Sequence, residues 1–166
     1  MTSQAPFFMF GTLSLSERGI GAIASAMKLS DATIVISPGF GGQTDNHWQR
    51  RWTKNMKTAV YVDHESWLAP QKDHWVADIV AKVEAASNPV VLVGHSLGVI
   101  AITHAAQWFT PDKVRGAFLV CPSDWERPDL VDGFDGGDFK PIPMQRLPFP
   151  IQMIASRNDP FCTFER

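Results

Sequence analysis

The stretch VVLVGHSLGVIAITHAA, residues 90–106, joins an apolar run to a helical pattern through the five residues Gly-His-Ser-Leu-Gly. The unbroken apolar run predicts a strand buried on both faces, as in parallel sheets. The helix is predicted to begin at Ser96, so a sharp turn would hold this side chain at the mouth of a sheet. Gly94 and Gly98 provide the room that such a turn needs.

Along the rest of the chain, segments with the pattern of a strand alternate with segments with the pattern of a helix. This alternation predicts an α/β protein with three layers, α/β/α, around a doubly wound, mostly parallel sheet. Ligands of such sheets bind at the carboxyl ends of the strands. The predicted strands are 32–37, 59–64, 89–94, 114–121 and 150–156, and the predicted helices are 45–57, 70–86 and 96–109.

The 166 residues suit one domain. Residues 1–31 have weak hydrophobic periodicity. The short polar segment that begins at Met27 would suit a second translation start. We therefore interpret residues 1–31 as a loosely ordered extension. The domain proper is predicted to span 32–166.

Composition excludes several classes of protein. The net charge is −2 and no basic run occurs, which gives no support for binding to nucleic acid or membranes. The only two cysteines, Cys121 and Cys162, are far apart and favour a reduced, cytoplasmic protein. No metal-binding spacing occurs, so we expect no metal and no cofactor. The expected partner is a small-molecule substrate, and nothing in the sequence supports a protein partner.

The Gly-x-Ser-x-Gly turn predicts a nucleophile at Ser96. A serine hydroxyl attacks poorly unless a base removes its proton, so the prediction requires partners. A plain strand-to-helix turn is the alternative, but the position between a buried strand and a helix favours the nucleophile. His95 fills the variable position of the turn and is expected to point away from the hydroxyl.

Two backbone N–H groups are candidate oxyanion donors. The N–H of Leu97 lies at the start of a helix, where N–H groups are free and the helix dipole is positive. The second donor is expected from the turn SPGFGG, residues 37–42, at Phe40, where Gly39 and Gly41 let the backbone approach. A glycine-rich turn without a role is the alternative.

A dinucleotide-binding loop is the competing interpretation of the same glycines. The pattern G-x-G-x-x-G requires glycine at position 44, where the chain has Thr44. A flavodoxin-like nucleotide-binding protein therefore stays the weakest of the functional hypotheses.

An acid is predicted at the same edge of the sheet. Asp159 follows the fifth strand, although Asp before Pro is also a common turn. Asp124, after the fourth strand, is the alternative. The loop 121–149 lies between these strands, and its aromatic residues either line a lid over an apolar group or cover the sheet edge: Trp125, Phe134 and Phe139.

Longer motifs resemble the small serine-hydrolase family of retinoblastoma-binding protein 9 and YdeN, which are minimal α/β-hydrolases. Together they span residues 32–166. The resemblance implies that Ser96 is the nucleophile, that Asp159 is the triad acid and that His47 matches the family's His-Trp pair near the pocket. It also implies an edge position for the second strand and a central one for VVLVG. The matching pieces are VISPGFGGQTDNHWQRRW, SWLAPQKDHWV, VVLVGHSLGVIAITHA, LVCPSDWERP and LPFPIQMIASRNDPFCTFER.

The chain departs from the family in one respect. The resemblance implies a catalytic histidine after the acid, on the turn that follows one further strand, and residues 160–166 contain none. We therefore expect this histidine, the last strand and the closing helix beyond residue 166. The predicted function is hydrolysis of small esters or amides through an acyl-enzyme on Ser96. The alternative is a catalytically inactive hydrolase-like binding module.

Overall fold

A parallel sheet of five strands forms the centre of the computed structural model, which describes residues 27–127, 130 and 137–166. The spatial order is β2-β1-β3-β4-β5, and every neighbouring pair is parallel. This confirms the predicted α/β class, with the second strand at an edge and VVLVG at the centre. The strands are β1 (Thr33–Ser37), β2 (Ala59–Tyr61), β3 (Val90–His95), β4 (Val114–Val120) and β5 (Ile151–Ile154), and the helices are α1 (Trp48–Asn55), α2 (Lys72–Ala85) and α3 (Leu97–Ala105).

The register of the central strands aligns their carboxyl ends. Gly94 of β3 lies opposite Ser37 of β1 on one side and Leu119 of β4 on the other. The N–H of Ser96 continues the ladder by donating to Val120 O at 3.1 Å. The loops after β1, β3 and β4 therefore leave the sheet side by side.

Helices cover both faces of the sheet, as a doubly wound fold requires. One face packs against α2 and α3 in the larger apolar cluster, which includes Trp75, Ile79 and Ile102. The other face packs against α1 in a smaller cluster around Ile34 and Ile36. The helix α3 is buried almost all round, which explains why its sequence is apolar without a polar stripe.

Several predicted boundaries are wrong, and local interactions explain the differences. Helix α1 was predicted from residue 45 but begins at Trp48, because His47 is its N-cap: the His47 ring accepts a hydrogen bond from Gln49 N. Strand β2 stops at Tyr61, where its ladder with β1 ends. A 3-10 turn over Ala106–Trp108 continues α3.

The predicted extension falls mostly outside the described residues, which begin at Met27. Leu29–Asp31 forms a 3-10 turn before β1, and no side chain of it is buried. Phe134, a predicted lid residue, also lies outside the described part of the chain. Within that part, none of the helices has both the length and the hydropathy needed to cross a membrane.

Candidate active site

The backbone at Ser96 adopts a conformation that non-glycine residues rarely accept. Its φ is 53° and its ψ is −124°, between the end of β3 and the first residue of α3. Such strained backbone persists only where the surrounding structure enforces it, and it is concentrated at functional sites. The conformation matches the sharp strand-to-helix turn that exposes a nucleophile at the top of the sheet.

Close packing enforces this turn and explains its two glycines. A Cβ atom at position 98 would lie 2.3 Å from Pro38 O and 2.4 Å from Ser37 O. A Cβ atom at position 94 would lie 2.9 Å from the Ile102 side chain and 3.2 Å from the Val99 backbone. Backbone atoms cannot move aside as a flexible side chain can, so Gly98 is the stricter requirement.

The turn after β1 lies directly against Ser96. A Cβ atom at Gly39 would lie 2.8 Å from Ser96 Cβ and 3.3 Å from Ser96 Oγ. The peptide that carries the N–H of Phe40 follows immediately, and Leu97 is the first residue of α3. Helix geometry leaves the N–H of such a first residue without an intrahelical acceptor. Both candidate oxyanion donors are therefore attached to backbone that adjoins Ser96.

Buried polar contacts fix the shape of that turn. Gln49 of α1 is fully buried, and its Nε2 donates to Ser37 O at 3.0 Å. Gly41 has a φ of 76°, and its N–H donates to Trp67 O at 2.9 Å. Sequence reasoning missed Gln49, because no pattern marks a polar residue on α1 as the one that faces the end of β1.

The hydroxyl of Ser96 has one hydrogen-bond partner in the described part of the chain, and it is another serine. Ser96 Oγ donates to Ser123 Oγ at 3.3 Å. Ser123 is 3% exposed and also accepts a hydrogen bond from the indole Nε1 of Trp125. Trp125, a predicted pocket residue, is itself buried and packs 5.5 Å from the Phe40 ring. Sequence reasoning missed Ser123, whose importance depends on the packing of two loops.

Asp159 lies in the same region, on the loop that follows β5. Its carboxylate accepts a hydrogen bond from Phe161 N at 2.9 Å and another from the thiol of Cys121. Burial, and then the charge of Asp159, raise the pKa of the Cys121 thiol. Cys121 has a φ of 45°, a second strained residue where a strand ends. No hydrogen bond joins Asp159 to Ser96 in the described residues.

Asp124, the alternative acid, is occupied by other partners. Its carboxylate accepts from Arg166 Nε at 3.3 Å and from the N–H of Glu126 at 3.2 Å. Its own N–H donates to Phe161 O. These bonds tie the loop after β4 to the loop after β5, so Asp124 holds the two loops together while Asp159 is the acid that lies beside Cys121.

The five histidines of the chain all lie within the described residues, and none is hydrogen-bonded to Ser96 Oγ. His47 caps α1. His64 donates to Asp78 at 2.7 Å, and His104 donates to Phe139 O at 3.0 Å. His74 is exposed on α2.

His95 has an environment that keeps it neutral. Its ring lies 5.1 Å from the His47 ring, and Gln43 Nε2 donates to its Nδ1 at 3.4 Å. Burial, and then His47, lower the pKa of His95 from 6.5 to about 4, although the charge of Asp159 opposes the shift. The described residues contain no cluster of metal-ligating side chains.

Comparisons with known proteins give the family and the fold of the chain. A family model described as "Serine hydrolase" matches residues 34–166. A protein described as a YdeN-like hydrolase, from Pectobacterium atrosepticum, is 29% identical, with a TM-score of 0.68 over 82% of this chain and 69% of its own. The ydeN gene product of B. subtilis is 20% identical and shares the fold, with a TM-score of 0.61 over 81% of this chain and 76% of its own. A comparison with curated proteins found no match.

The fold and the turn at Ser96 define an α/β-hydrolase. More narrowly, the chain belongs to the serine hydrolase family, whose model covers most of its length.

Proposed function

We propose that this hydrolase cleaves small esters or amides through a covalent acyl-enzyme on Ser96. The observation that carries the proposal is the strained backbone of Ser96 at the end of the central strand. This backbone holds the hydroxyl at the carboxyl edge of the sheet, beside the Gly39–Phe40 peptide and the start of α3. An ordinary strand-to-helix turn does not need a residue with positive φ and two glycines packed against backbone.

The first chemical step is attack of Ser96 Oγ on the substrate carbonyl carbon. The hydroxyl proton passes to a base, the carbonyl π electrons move to oxygen, and the N–H groups of Leu97 and Phe40 stabilise the oxyanion. The intermediate then expels an alcohol or an amine, which takes the proton from the base. Water repeats the sequence on the acyl-enzyme and releases the acid.

The base in this proposal is a histidine that follows the acid, as the resemblance to the family implies. None of the five histidines of the chain is hydrogen-bonded to Ser96 Oγ, so none of them is assigned this role. Asp159 is the acid that orients this histidine. Its carboxylate is half-buried and is held by Phe161 N and by the thiol of Cys121. A cytoplasmic location and a small-molecule substrate belong to the same proposal.

A second candidate function is binding without catalysis, which the Ser96–Ser123 hydrogen bond favours. A nucleophile whose hydroxyl donates to another serine has no activating base at that moment. In this alternative the site binds a small acyl compound and does not cleave it.

Hydrolysis of p-nitrophenyl acetate tests the proposal. We expect an initial release of p-nitrophenol that approaches one equivalent of protein, followed by slower turnover, because the acyl-enzyme accumulates. Even without the base, oxyanion donors and binding leave hydrolysis on the order of 10³-fold above that in water. Ser96→Ala is the matched variant and should lose the initial release. An equal initial release from both proteins would favour binding without catalysis, because the residual hydrolysis by the oxyanion donors does not need Ser96.

A further inference from the structure

The hydroxyl of Ser123 is hydrogen-bonded to the proposed nucleophile, and the mechanism above does not use it. Ser123 lies 27 residues from Ser96 along the chain, in the loop after β4, yet the two Oγ atoms are 3.3 Å apart. The side chain is 3% exposed. A buried hydroxyl at this distance from a nucleophile affects its protonation, because a low-dielectric site strengthens each hydrogen bond.

The orientation of Ser123 is fixed by Trp125. The indole N–H is a donor only, so it occupies one lone pair of Ser123 Oγ. Trp125 cannot turn away easily, because it is 1% exposed and its ring packs against Phe40 at 5.5 Å and Phe139 at 6.4 Å. This leaves Ser123 one lone pair and one proton for Ser96.

The free lone pair and the proton of Ser123 match two successive states of Ser96, the neutral hydroxyl and the alkoxide. In the resting state Ser96 donates its proton to the free lone pair of Ser123. When a base removes that proton, Ser123 can rotate its own O–H and donate it to the negative oxygen of Ser96. Each proton is accounted for: that of Ser96 goes to the base, and that of Ser123 stays on Ser123.

We propose that Ser123 is a positioning residue, which holds Ser96 Oγ in the resting enzyme and stabilises the alkoxide as its proton leaves. The inference rests on the proposed function of Ser96. In this proposal the hydrogen bond to Ser123 takes part in catalysis. In the alternative of binding without catalysis, the same bond would only keep Ser96 inactive. The tryptophan orients Ser123, since its N–H bonds to the Ser123 hydroxyl.

The rate at which a fluorophosphonate labels Ser96, measured across pH by intact mass, tests the proposal. In Ser123→Ala we expect the rate to fall about tenfold or more, because a hydrogen bond to a charged group is lost. We also expect the pH midpoint of the rate to rise, which a purely structural role would not cause. Ser123→Thr keeps the hydroxyl and should recover the midpoint. Trp125→Phe keeps an aromatic ring without the N–H and should give a smaller change in the same direction.

A second measurement separates failure of this proposal from failure of the proposed function. In a ¹⁵N-labelled sample, the Trp125 indole resonance is assigned by its loss in Trp125→Phe. Ser96→Ala should shift this resonance, because it removes the donor on the shared hydroxyl, whereas Ser87→Ala, at the opposite edge of the sheet, should not. If the wild-type protein is not labelled, the proposed function fails. The Trp125 resonance then shows by itself whether the hydrogen bonds from Ser96 to Ser123 and from Trp125 to Ser123 are present. An unmoved resonance in Ser96→Ala, or a Ser123→Ala variant labelled at the wild-type rate and pH midpoint, would overturn the role of Ser123.

Discussion

At the scale of single residues, the candidate site depends on a backbone conformation that few side chains adopt. Ser96 is held at positive φ because α3 packs its first turn against the end of β1. The same closeness brings Gly39 against Ser96. The strain at Ser96 and the need for glycine at positions 39 and 98 therefore have one physical cause, the close approach of two backbone segments.

Gly98→Ala should lower the free energy of unfolding by about 3 kcal/mol or more, at the upper end of the cost of overpacking. The added methyl group would lie 2.3 Å from Pro38 O, and backbone must move to admit it. Gly116→Ala is the control, because its methyl group would meet Pro150 O at 3.4 Å, an ordinary contact. Urea unfolding measures the free energy of unfolding of both variants. An equal decrease in Gly98→Ala and Gly116→Ala would contradict the packing argument.

His95 should make the fold less stable in mild acid. Its pKa is lowered from 6.5 to about 4 in the fold, so between these values the unfolded chain binds the extra proton. The free energy of unfolding should therefore be independent of His95 above pH 6.5 and should decrease as the pH falls from 6.5 to about 4. Burial lowers the pKa of His64 in the same direction.

Urea unfolding at several pH values across the window measures this dependence. His95→Gln removes one titrating group and should flatten the slope. A slope that is the same in His95→Gln would show that His95 does not carry the effect.

At the scale of elements, hydrophobic periodicity predicted the strands and the helices, and their alternation predicted the parallel sheet. The turn at Ser96 was predictable too, because its two glycines and Ser96 are close together in the sequence. Ser123 and Gln49 were not, because each acts on a residue that only the fold brings near. The N-cap of α1 was missed for a chemical reason: an imidazole nitrogen of His47 accepts the bond that Ser, Thr, Asp or Asn usually accepts.

Helix α2, unlike α1, takes its N-terminal cap from a distant part of the chain. Its N-cap residue, Gln71, makes no side-chain capping bond, whereas Asp138 Oδ1 accepts from Lys72 N at 3.0 Å. Asp138→Ala should therefore lower the free energy of unfolding by about 1 kcal/mol, the usual effect of losing a cap. Asp138→Asn keeps an acceptor oxygen and should retain most of the stability in the same thermal or urea assay. Equal stability of the alanine variant and the wild type would contradict this role.

At the scale of the whole molecule, four loops that are distant in sequence meet at the carboxyl edge of the sheet. They follow β1, β3, β4 and β5, and they bring together the Gly39 turn, Ser96, Ser123 and Asp159. The last two loops are tied to each other by Asp124 N to Phe161 O and by the pairing of Arg166 with Asp124 and Glu126. The site therefore depends on the fold as a unit.

The outer edge of β5 should make the 166-residue chain associate with itself. In the described residues β5 pairs only with β4, and its side chains Ile151 and Met153 are 47% and 43% exposed. Exposed apolar edge strands pair with other chains. Sedimentation at increasing protein concentration should show growing particles, and Met153→Lys should suppress them.

Met144→Lys is the matched control for this prediction. Met144 is also exposed but lies in a loop, so its substitution should leave the association unchanged. A wild-type chain that stays monomeric at every concentration would contradict the prediction.

The most direct test of catalysis by Ser96 is the covalent adduct itself. The protein is incubated with a fluorophosphonate, its intact mass is measured, and the modified peptide is sequenced by mass spectrometry. We expect a single adduct on Ser96, absent from Ser96→Ala and slower to form in Asp159→Asn. An unmodified protein, or an adduct spread over other serines and equally abundant in Ser96→Ala, would contradict the assignment of Ser96 as the nucleophile.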